Sequence, residues 1–358
     1  MERFGLKASC PRHHHRPQKL HHNAEMIQVH RMCPAVLGLL ALSLFLGAQD
    51  KPDRPPWAQP GARQTKPADS APQTPPQEPP TPSGTVKVTV NLVNVLVSVL
   101  DEHNRPAPNL PVDAFQVFEE AVQQKIDIFE PETKLPLDIA LMIDSSMSAH
   151  KEIAFERDAA SHFIQQVLRP DDRLAVFEFD ETVTQLAQFS SDVASLQNAV
   201  RRVTDGSGTS IYDAVLLGSN ALARRPADRR RVIIMVTDAG ETTSRADFET
   251  ARKAALRAGI LLYTIVVRPV KNENGRNTAG EHALETITET TGGAMFYPES
   301  GQELPIIFDR IDSELRTQYR LAYYPNPRGP ANSYRTIEVK VLPGYSARHR
   351  TTYLTGPQ

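Results

Sequence analysis

The feature that most constrains this chain is a set of four continuous apolar runs in its central and later part. The runs are "LDIALMID", "RLAVFEF", "RVIIMVTD" and "GILLYTIVV". Unbroken apolar stretches of this kind are typical of parallel strands that are buried on both faces. Helical patterns separate them, with apolar residues on one face, as at Ala160, Phe163, Ile164 and Val167. The alternation predicts an α/β domain over residues 137–318, with a doubly wound, mostly parallel sheet.

The segments before and after this domain carry a different pattern, with apolar and polar residues in alternation. The segment "VKVTVNLVNVLVSVL" changes phase near Leu92–Val93, which predicts either a bulge or a strand whose second half is covered on both faces. Short strands are also predicted in the rest of residues 86–136 and in residues 319–358. The ends of a doubly wound domain can lie close together, and residues 86–136 are too few to be secure alone. We therefore predict one small β-sandwich built from both flanks, with the α/β domain inserted into it.

The N-terminal part contains the run "PAVLGLLALSLFLGA", which follows Arg31 and ends in small residues. This pattern predicts a secretory signal peptide within residues 1–48, with cleavage near Ala48. The run is shorter than the ~20 residues of a membrane span, so no stable span is expected after cleavage. The His-rich stretch ahead of it is either a metal-binding tract or untranslated sequence before a true start at Met26 or Met32, and we favour the second.

Residues 49–85 predict a disordered, proline-rich linker, because residues 51–85 contain eleven prolines and little apolar surface. Both cysteines, Cys10 and Cys33, precede the expected cleavage point, so a disulfide is not expected in the mature chain. The formal charge of −2 argues against a nucleic-acid partner. We expect an exported protein that is periplasmic or extracellular.

Three segments rich in side-chain oxygen adjoin the predicted strands and helices of the α/β domain. "DSSMS" supplies Asp144, Ser146 and Ser148, "DGSGTSIYDA" supplies Thr209, and "VTDAGETTS" supplies Asp238. The carboxyl ends of parallel strands meet at one edge of a sheet, where such proteins bind ligands. Ser, Thr and Asp without His or Cys form a hard ligand set, which suits Mg²⁺ or Mn²⁺ rather than zinc.

The chemistry of these residues favours a particular division of roles. The hydroxyl groups of Ser146, Ser148 and Thr209 can bind the ion directly without adding charge. The carboxylates of Asp144 and Asp238 would then act partly through waters, or by orienting the hydroxyls. Because Mg²⁺ takes about six ligands, such a site keeps a position for an incoming Asp or Glu of a partner.

This combination resembles the metal-ion-dependent adhesion site (MIDAS) of the von Willebrand factor A (VWA) family. The family pattern is Asp-x-Ser-x-Ser, then a distant Thr, then a Thr-Asp pair, and all three parts occur here in order over about residues 137–318. The resemblance implies a Rossmann-like fold, a bound Mg²⁺ (or Mn²⁺ or Ca²⁺) and capture of an acidic residue on a protein or cell-surface partner. The family usually has glycine after the last Asp, where this chain has Ala239, which affects loop geometry and leaves the ligands intact. The flanking strands resemble an exported bacterial "VWFA-related" branch that is abundant in acidobacteria.

Other interpretations of the same residues stay open. Asp144 could cap a helix without any ion. The domain could be a scaffold for envelope protein assembly, with a vestigial metal site. A metal-dependent hydrolase is a further alternative, because the first loop is similar to the Asp-x-Asp loop of phosphatases. Here a Ser replaces the second carboxylate, and the chain has no GxSxG or GxxxxGK motif, so we predict no enzyme and no catalytic residues.

Two further groups of residues are interpreted as structural. Tyr212 is expected to pack under the Thr209 loop, and Asp213 to orient it. The arginine-rich segment "RRPADRRR", residues 224–231, could be a basic binding patch. We interpret it instead as a solvated helix end that leads into a strand, because cations are favoured at a helix C-terminus.

Overall fold

The computed structural model describes residues 92–131, 133–146, 153–267 and 278–356. The predicted signal peptide at residues 1–48, the linker at residues 49–85 and the candidate ligand Ser148 lie outside these residues. Those three remain predictions.

The N-terminal flank forms four strands. They are β1 (Val93–Leu100), β2 (Phe115–Glu119), β3 (Val122–Gln124) and β4 (Ile128–Glu130), with a short 3-10 helix at Val112–Ala114 before β2. Both faces of β1 are buried from Val97 to Leu100. This burial agrees with the second of the two alternatives, a strand whose second half is covered on both faces.

A six-stranded sheet forms the centre of the α/β region. Its strands are β5 (Leu137–Asp144), β6 (Arg173–Phe179), β7 (Val183–Ser190), β8 (Arg230–Thr237), β9 (Ile260–Val266) and β10 (Met295–Phe296). Their order across the sheet is β10-β9-β8-β5-β6-β7, and every neighbouring pair is parallel except β6 with β7. The predicted doubly wound, mostly parallel α/β fold is confirmed.

In the part of the chain that the structure describes, six helices cover the two faces of this sheet. They are α1 (Ile153–Val167), α2 (Val193–Arg201), α3 (Ile211–Ala223), α4 (Phe248–Ala258), α5 (Thr278–Thr291) and α6 (Leu304–Arg316), with a 3-10 turn at Gly301–Glu303. One core contains residues of α1, α2 and α6, and the other contains residues of α3, α4 and α5. Strand β5 sends Leu137, Ile139, Leu141 and Ile143 to the first core and Ala140 and Met142 to the second. Burial on both faces is the physical reason for its unbroken apolar sequence.

The C-terminal flank completes the predicted sandwich. Its strands are β11 (Tyr319–Tyr323), β12 (Tyr334–Val341), β13 (Ser346–His349) and β14 (Thr352–Leu354). They pair with the N-terminal strands in two antiparallel sheets, β13-β1-β11-β4 and β14-β12-β2-β3. The apolar core between the sheets draws on both flanks, for example Val95 and Val97 with Tyr319 and Ile337. The two flanks therefore fold as one unit around the α/β domain.

The arginine-rich segment at residues 224–231 differs from its predicted solvated state. Arg230 is only 4% exposed, and its guanidinium donates to the backbone carbonyls of Leu135 and Leu315. Arg225 and Arg229 both form ion pairs with the buried Asp138. The interpretation as a solvated helix end is wrong for these three arginines, because long-range contacts bury Arg230 and partly bury Arg225 and Arg229.

Within the ranges described above, no helix is both long and apolar enough to cross a membrane.

Candidate metal centre

The candidate site lies where the strand order of the central sheet reverses. The chain leaves β5 towards β6 on one side and later returns to β8 on the other side. In open parallel sheets the loops at the carboxyl ends of such strands diverge and leave a crevice for a ligand. Three loops form the site: the first follows β5 at Asp144, the second, residues 204–210, carries Thr209 ahead of α3, and the third follows β8 and carries Asp238.

Asp144 ends β5 and is only 1% exposed. The Thr237 hydroxyl donates to its Oδ2 at 2.5 Å, and the Ser146 backbone N–H donates to its Oδ1 at 3.0 Å. Burial raises the pKa of Asp144 to about 6, the negative charge of Asp238 adds to the rise, and the hydrogen bonds from Thr237 and Ser146 oppose it. Among the described residues, no Lys, Arg or His nitrogen lies within 4.0 Å of this carboxylate. Asp144 is thus a buried acid without a counter-cation.

The second loop is fixed against its neighbours by close backbone approach. The Gly206 N–H donates to the Ser145 carbonyl at 2.6 Å. A Cβ on Gly206 would lie 2.2 Å from Oδ2 of Asp180, so a side chain there would displace the loop. Gly208 has φ +71°, a left-handed conformation that favours glycine. These two glycines bring Thr209 against the first and third loops.

Thr209 is only 3% exposed and is held through its backbone. Its N–H donates to the Thr242 hydroxyl at 2.8 Å, and its carbonyl accepts from the N–H groups of Thr242 and Thr243. Its own hydroxyl has no hydrogen-bond partner in the part of the chain that the structure describes. A backbone anchored in this way leaves that oxygen available to a ligand.

The third loop holds Asp238 between two tight contacts. The Gly240 N–H donates to Oδ1 of Asp238 at 2.8 Å, and the Ala239 N–H donates to the Thr237 hydroxyl at 3.0 Å. Ala239 has φ +63° and is fully buried. This is the position where the related family usually has glycine, and the alanine adopts the conformation that glycine favours. Alanine in place of glycine therefore strains the loop backbone, but the backbone keeps the conformation that a glycine would have here.

Among the described residues, the side chains of Tyr212 and Asp213 contact the third loop and the start of α4, and not the Thr209 loop that they were expected to support. Asp213 accepts from the backbone N–H groups of Arg245 and Ala246, which orients the third loop. The Tyr212 ring packs edge-on against Phe248 at a centroid distance of 6.2 Å. Nothing in these contacts gives either side chain a role as a metal ligand.

The structure brings four of the five predicted ligands into one cluster of interlocked loops: Asp144, Ser146, Thr209 and Asp238. Sequence reasoning missed the contribution of Thr237, whose hydroxyl bridges Asp144 and the third loop, and of Thr242, which anchors Thr209. The Thr-Asp pair in "VTDAGETTS" was the available signal for Thr237. No signal in a single sequence singled out Thr242.

The donor set fits a hard cation. It consists of two carboxylates and neutral hydroxyls, which are the ligands that Mg²⁺, Mn²⁺ and Ca²⁺ prefer in proteins. Within the described residues there is no group of three or more His, Cys, Asp or Glu side chains able to hold a metal. A cation held by Asp144 and Asp238 would draw its other ligands from hydroxyls, backbone carbonyls and water.

Comparison with known proteins gives one family. A model described as "von Willebrand factor type A domain" matches residues 138–310. A von Willebrand factor type A protein from Catenulispora acidiphila is 10% identical, with 76% of each chain covered and a TM-score of 0.45. BatB from Bacteroides thetaiotaomicron is 16% identical, with 50% of this chain and 98% of that chain covered and a TM-score of 0.40. The vWF domain of the type V pili tip protein Mfa5 from Porphyromonas gingivalis is 14% identical, with 50% and 95% covered and a TM-score of 0.40. No curated protein matches this chain.

Proposed function

Because residues 138–310 of this chain form a von Willebrand factor type A domain, we propose that the protein binds a partner through a divalent cation. In this proposal the hydroxyls of Ser146, Ser148 and Thr209 bind the cation directly. Asp144 and Asp238 complete the site, partly through waters or by orienting the hydroxyls. The cation is Mg²⁺, with Mn²⁺ or Ca²⁺ as substitutes.

The observation that carries the proposal is the state of Asp144. It is a buried carboxylate with no cationic partner among the described residues and with a second carboxylate, Asp238, close enough to raise its pKa. Burying an uncompensated charge is costly, and buried charges in proteins are normally paired or coordinate metals. A divalent cation would neutralise both carboxylates.

The hydroxyl of Thr209 supports the same conclusion. The residue is only 3% exposed, and no described residue makes a hydrogen bond to its hydroxyl, so this oxygen can ligate a cation. A neutral hydroxyl stabilises the ion without cancelling its charge. A cation that is ligated mainly by hydroxyls retains a strong attraction for an external anion. The partner is accordingly a protein or cell-surface ligand that presents an Asp or Glu side chain.

Metal binding is the first test. Mn²⁺ titrated into the EDTA-treated full chain should bind at one site, followed by electron paramagnetic resonance, and Mg²⁺ should compete with it. Thr209→Ala and Ser146→Ala should each weaken Mn²⁺ binding at least tenfold. Thr286→Ala on α5 is the matched control, because its hydroxyl bonds only the His282 carbonyl, and it should bind Mn²⁺ as the wild type does. Wild-type protein without a saturable Mn²⁺ site would contradict the proposal and favour a vestigial site.

Partner capture is the second test. Envelope proteins that the wild type retains in Mg²⁺ should be released by EDTA and should not bind Thr209→Ala. A screen with phosphatase and ester substrates separates the binding function from the hydrolase alternative. Turnover that Asp144→Ala abolishes would show that the protein is a metal-dependent hydrolase instead.

Export belongs to the same proposal. The apolar run before Ala48 predicts passage across the inner membrane, and the linker at residues 49–85 would then form the N-terminal segment of the mature chain. Cell fractionation with N-terminal sequencing tests this, since export predicts a mature chain that begins near residue 49 outside the cytoplasm. A cytoplasmic protein that retains residues 35–48 would contradict it.

A further inference from the structure

A second concave site lies at the opposite end of the central sheet. It is a cavity of about 420 Å³ between the amino ends of β8 and β9 and the outer face of the sandwich strands β1 and β11. Pockets for small molecules are commonly ~300–1,000 Å³ and often lie between domains. This cavity meets both conditions and shares no residue with the metal centre.

The cavity is strongly cationic. Five arginines line it: Arg229, Arg230, Arg231, Arg320 and Arg350. Among the described residues that line it, only Asp228 carries a carboxylate. Two of the five are neutralised by ion pairs, Arg229 with Asp138 and Arg320 with Glu130. For the other three, no carboxylate of a described residue lies within 4.0 Å. A net positive charge therefore remains at the cavity wall.

Arg350 is the most exceptional of these arginines. Its Nε is buried and has no hydrogen-bond partner among the described residues, and its guanidinium lies 5.4 Å from the ring centroid of Tyr353. Burial lowers the pKa of Arg350, as it does for Arg231, whose Nε is also buried without a partner. The two terminal nitrogens of Arg231 donate to the backbone carbonyls of Ala258 and Arg225. The charges of Glu119 and Asp138 raise the pKa of Arg350 and Arg231 respectively. Neither carboxylate lies within 4.0 Å of its arginine, however, so an anion in the cavity would be a direct partner for both arginines.

Apart from Asp228, most of the remaining wall is apolar, with Asn94 and Thr291 as polar exceptions. Leu92, Leu96, Leu135, Ile260 and Leu261 line the cavity beside the arginines. Leu96 alternates along β1 with core residues of the sandwich, so it faces the α/β domain. Together the two kinds of wall match a ligand with an anionic head and an apolar body.

We propose that this cavity binds a small organic anion. Its carboxylate or phosphate head lies against the guanidinium groups of Arg231 and Arg350, and its apolar body lies along Leu96 and Leu261. Guanidinium groups bind both head groups through paired N–H donors, so the shared chemistry is an oxyanion on an aliphatic chain. The site is distinct from the metal centre and binds its ligand without a cation.

The test uses octanoate and octyl phosphate as probes, titrated into the full chain in EDTA. EDTA removes divalent ions, so a carboxylate cannot bind at the metal centre, and failure of one proposal is distinguishable from failure of the other. Saturable one-to-one binding by calorimetry, with NMR shifts at the methyl groups of Leu96 and Leu261, supports the proposal, and the tighter probe identifies the head group. Octanol bound as tightly as both anions, or acetate bound as tightly as octanoate, would overturn it.

Two variants assign the binding to this cavity. Arg350→Gln should weaken the preferred probe at least tenfold, whereas Arg252→Gln should leave it unchanged. Arg252 is a matched control, because it is ion-paired with Glu249 on α4 and does not line the cavity. Leu96→Trp fills the cavity and keeps every charge, so it should also abolish binding. Circular dichroism checks that each variant folds, and Leu96→Trp is the deciding variant if Arg350→Gln does not fold. Unchanged probe binding in either variant, once folded, would overturn the assignment.

Discussion

Strand β5 carries a buried aspartate near each end, and the two ends differ in what neutralises it. Asp138, fully buried, has ion pairs to Arg225 at 2.9 Å and to Arg229 at 2.8 Å. Asp144, 1% exposed, has hydrogen bonds from Thr237 and Ser146 and no cation among the described residues. The same residue type on the same strand is thus a finished structural contact at one end and an unneutralised acid at the other.

This difference separates stability from function. A carboxylate with built-in arginines needs nothing further, and its removal leaves buried cations without a partner. A carboxylate that lacks such a partner destabilises the fold when ionised, so its retention favours a ligand that supplies positive charge. The arginine cavity at the base of the sheet shows the opposite imbalance, with cations that lack an anion. Both proposed sites therefore rest on the same argument about unbalanced charge. Among the described residues, the metal centre has carboxylates without a cation, and the cavity has arginines without an anion.

Loss of Asp138 should have the largest effect. Asp138→Asn leaves Arg225 and Arg229 without their shared carboxylate, and breaking a buried ion pair costs about 3–5 kcal/mol in unfolding free energy. Urea unfolding measures this loss. Glu249→Gln breaks the more exposed pair with Arg252 and should cost roughly 0–1 kcal/mol. Equal costs for the two variants would remove the distinction between a structural aspartate and an ordinary surface pair.

Mg²⁺ should stabilise the wild type by about 2.7 kcal/mol at a hundredfold excess over its Kd, because it binds the folded state alone. Asp144→Asn should lose most of this stabilisation, since the cation loses one of its two carboxylates. Thermal unfolding with Mg²⁺ and with EDTA gives the difference. If the unfolding temperature of the wild type were the same with Mg²⁺ and with EDTA, Asp144 would be a purely structural residue like Asp138.

Without metal, Asp144→Asn should raise the unfolding free energy at pH 7.5 by about 1–2 kcal/mol. The buried charge costs about 3 kcal/mol, and the amide forfeits part of this gain because its one oxygen cannot replace both carboxylate oxygens as acceptors for Thr237 and Ser146. The folded-state pKa of Asp144 is raised from 3.8 to about 6. The stability that its proton confers is complete below pH 3.8 and is lost as the pH rises through 6. In EDTA, the unfolding free energy of the variant should therefore rise relative to that of the wild type between pH 4 and about 6.5. A difference that is constant over this interval would mean that Asp144 keeps an ordinary pKa.

The fold was predictable because each region imposes a different period on the sequence. Strand β5 must contribute to two cores, so six of its eight residues are large or small apolar side chains. Sandwich strand β12 faces one core, so it alternates exposed positions with the buried Ile337 and Val339. Both patterns are local, and no long-range information was needed to recognise them.

The site was predictable only in part. Asp144, Thr209 and Asp238 follow strands or precede a helix, and that position is readable from the chain. The Thr237 hydroxyl donates to the carboxylate of Asp144, 93 residues earlier in the sequence. Arg229 pairs with Asp138 at a similar separation in the sequence. Arginine is rarely buried, so a solvated segment was the reasonable expectation for residues 224–231. Only the packing of β8 beside β5 reveals these contacts.

Ala239→Gly should have the smallest effect, and it tests whether the third loop is already shaped for a cation. The alanine at φ +63° is strained by about 1–2 kcal/mol, which glycine would relieve. Glycine also loses a buried methyl, about 0.8 kcal/mol, and gains about 0.5–1 kcal/mol of unfolded-state entropy. The terms nearly cancel, so the unfolding free energy should change by less than about 1 kcal/mol. Because the backbone path already matches glycine, Mn²⁺ affinity should stay within about twofold; a large gain in affinity would show that alanine holds Asp238 away from Asp144.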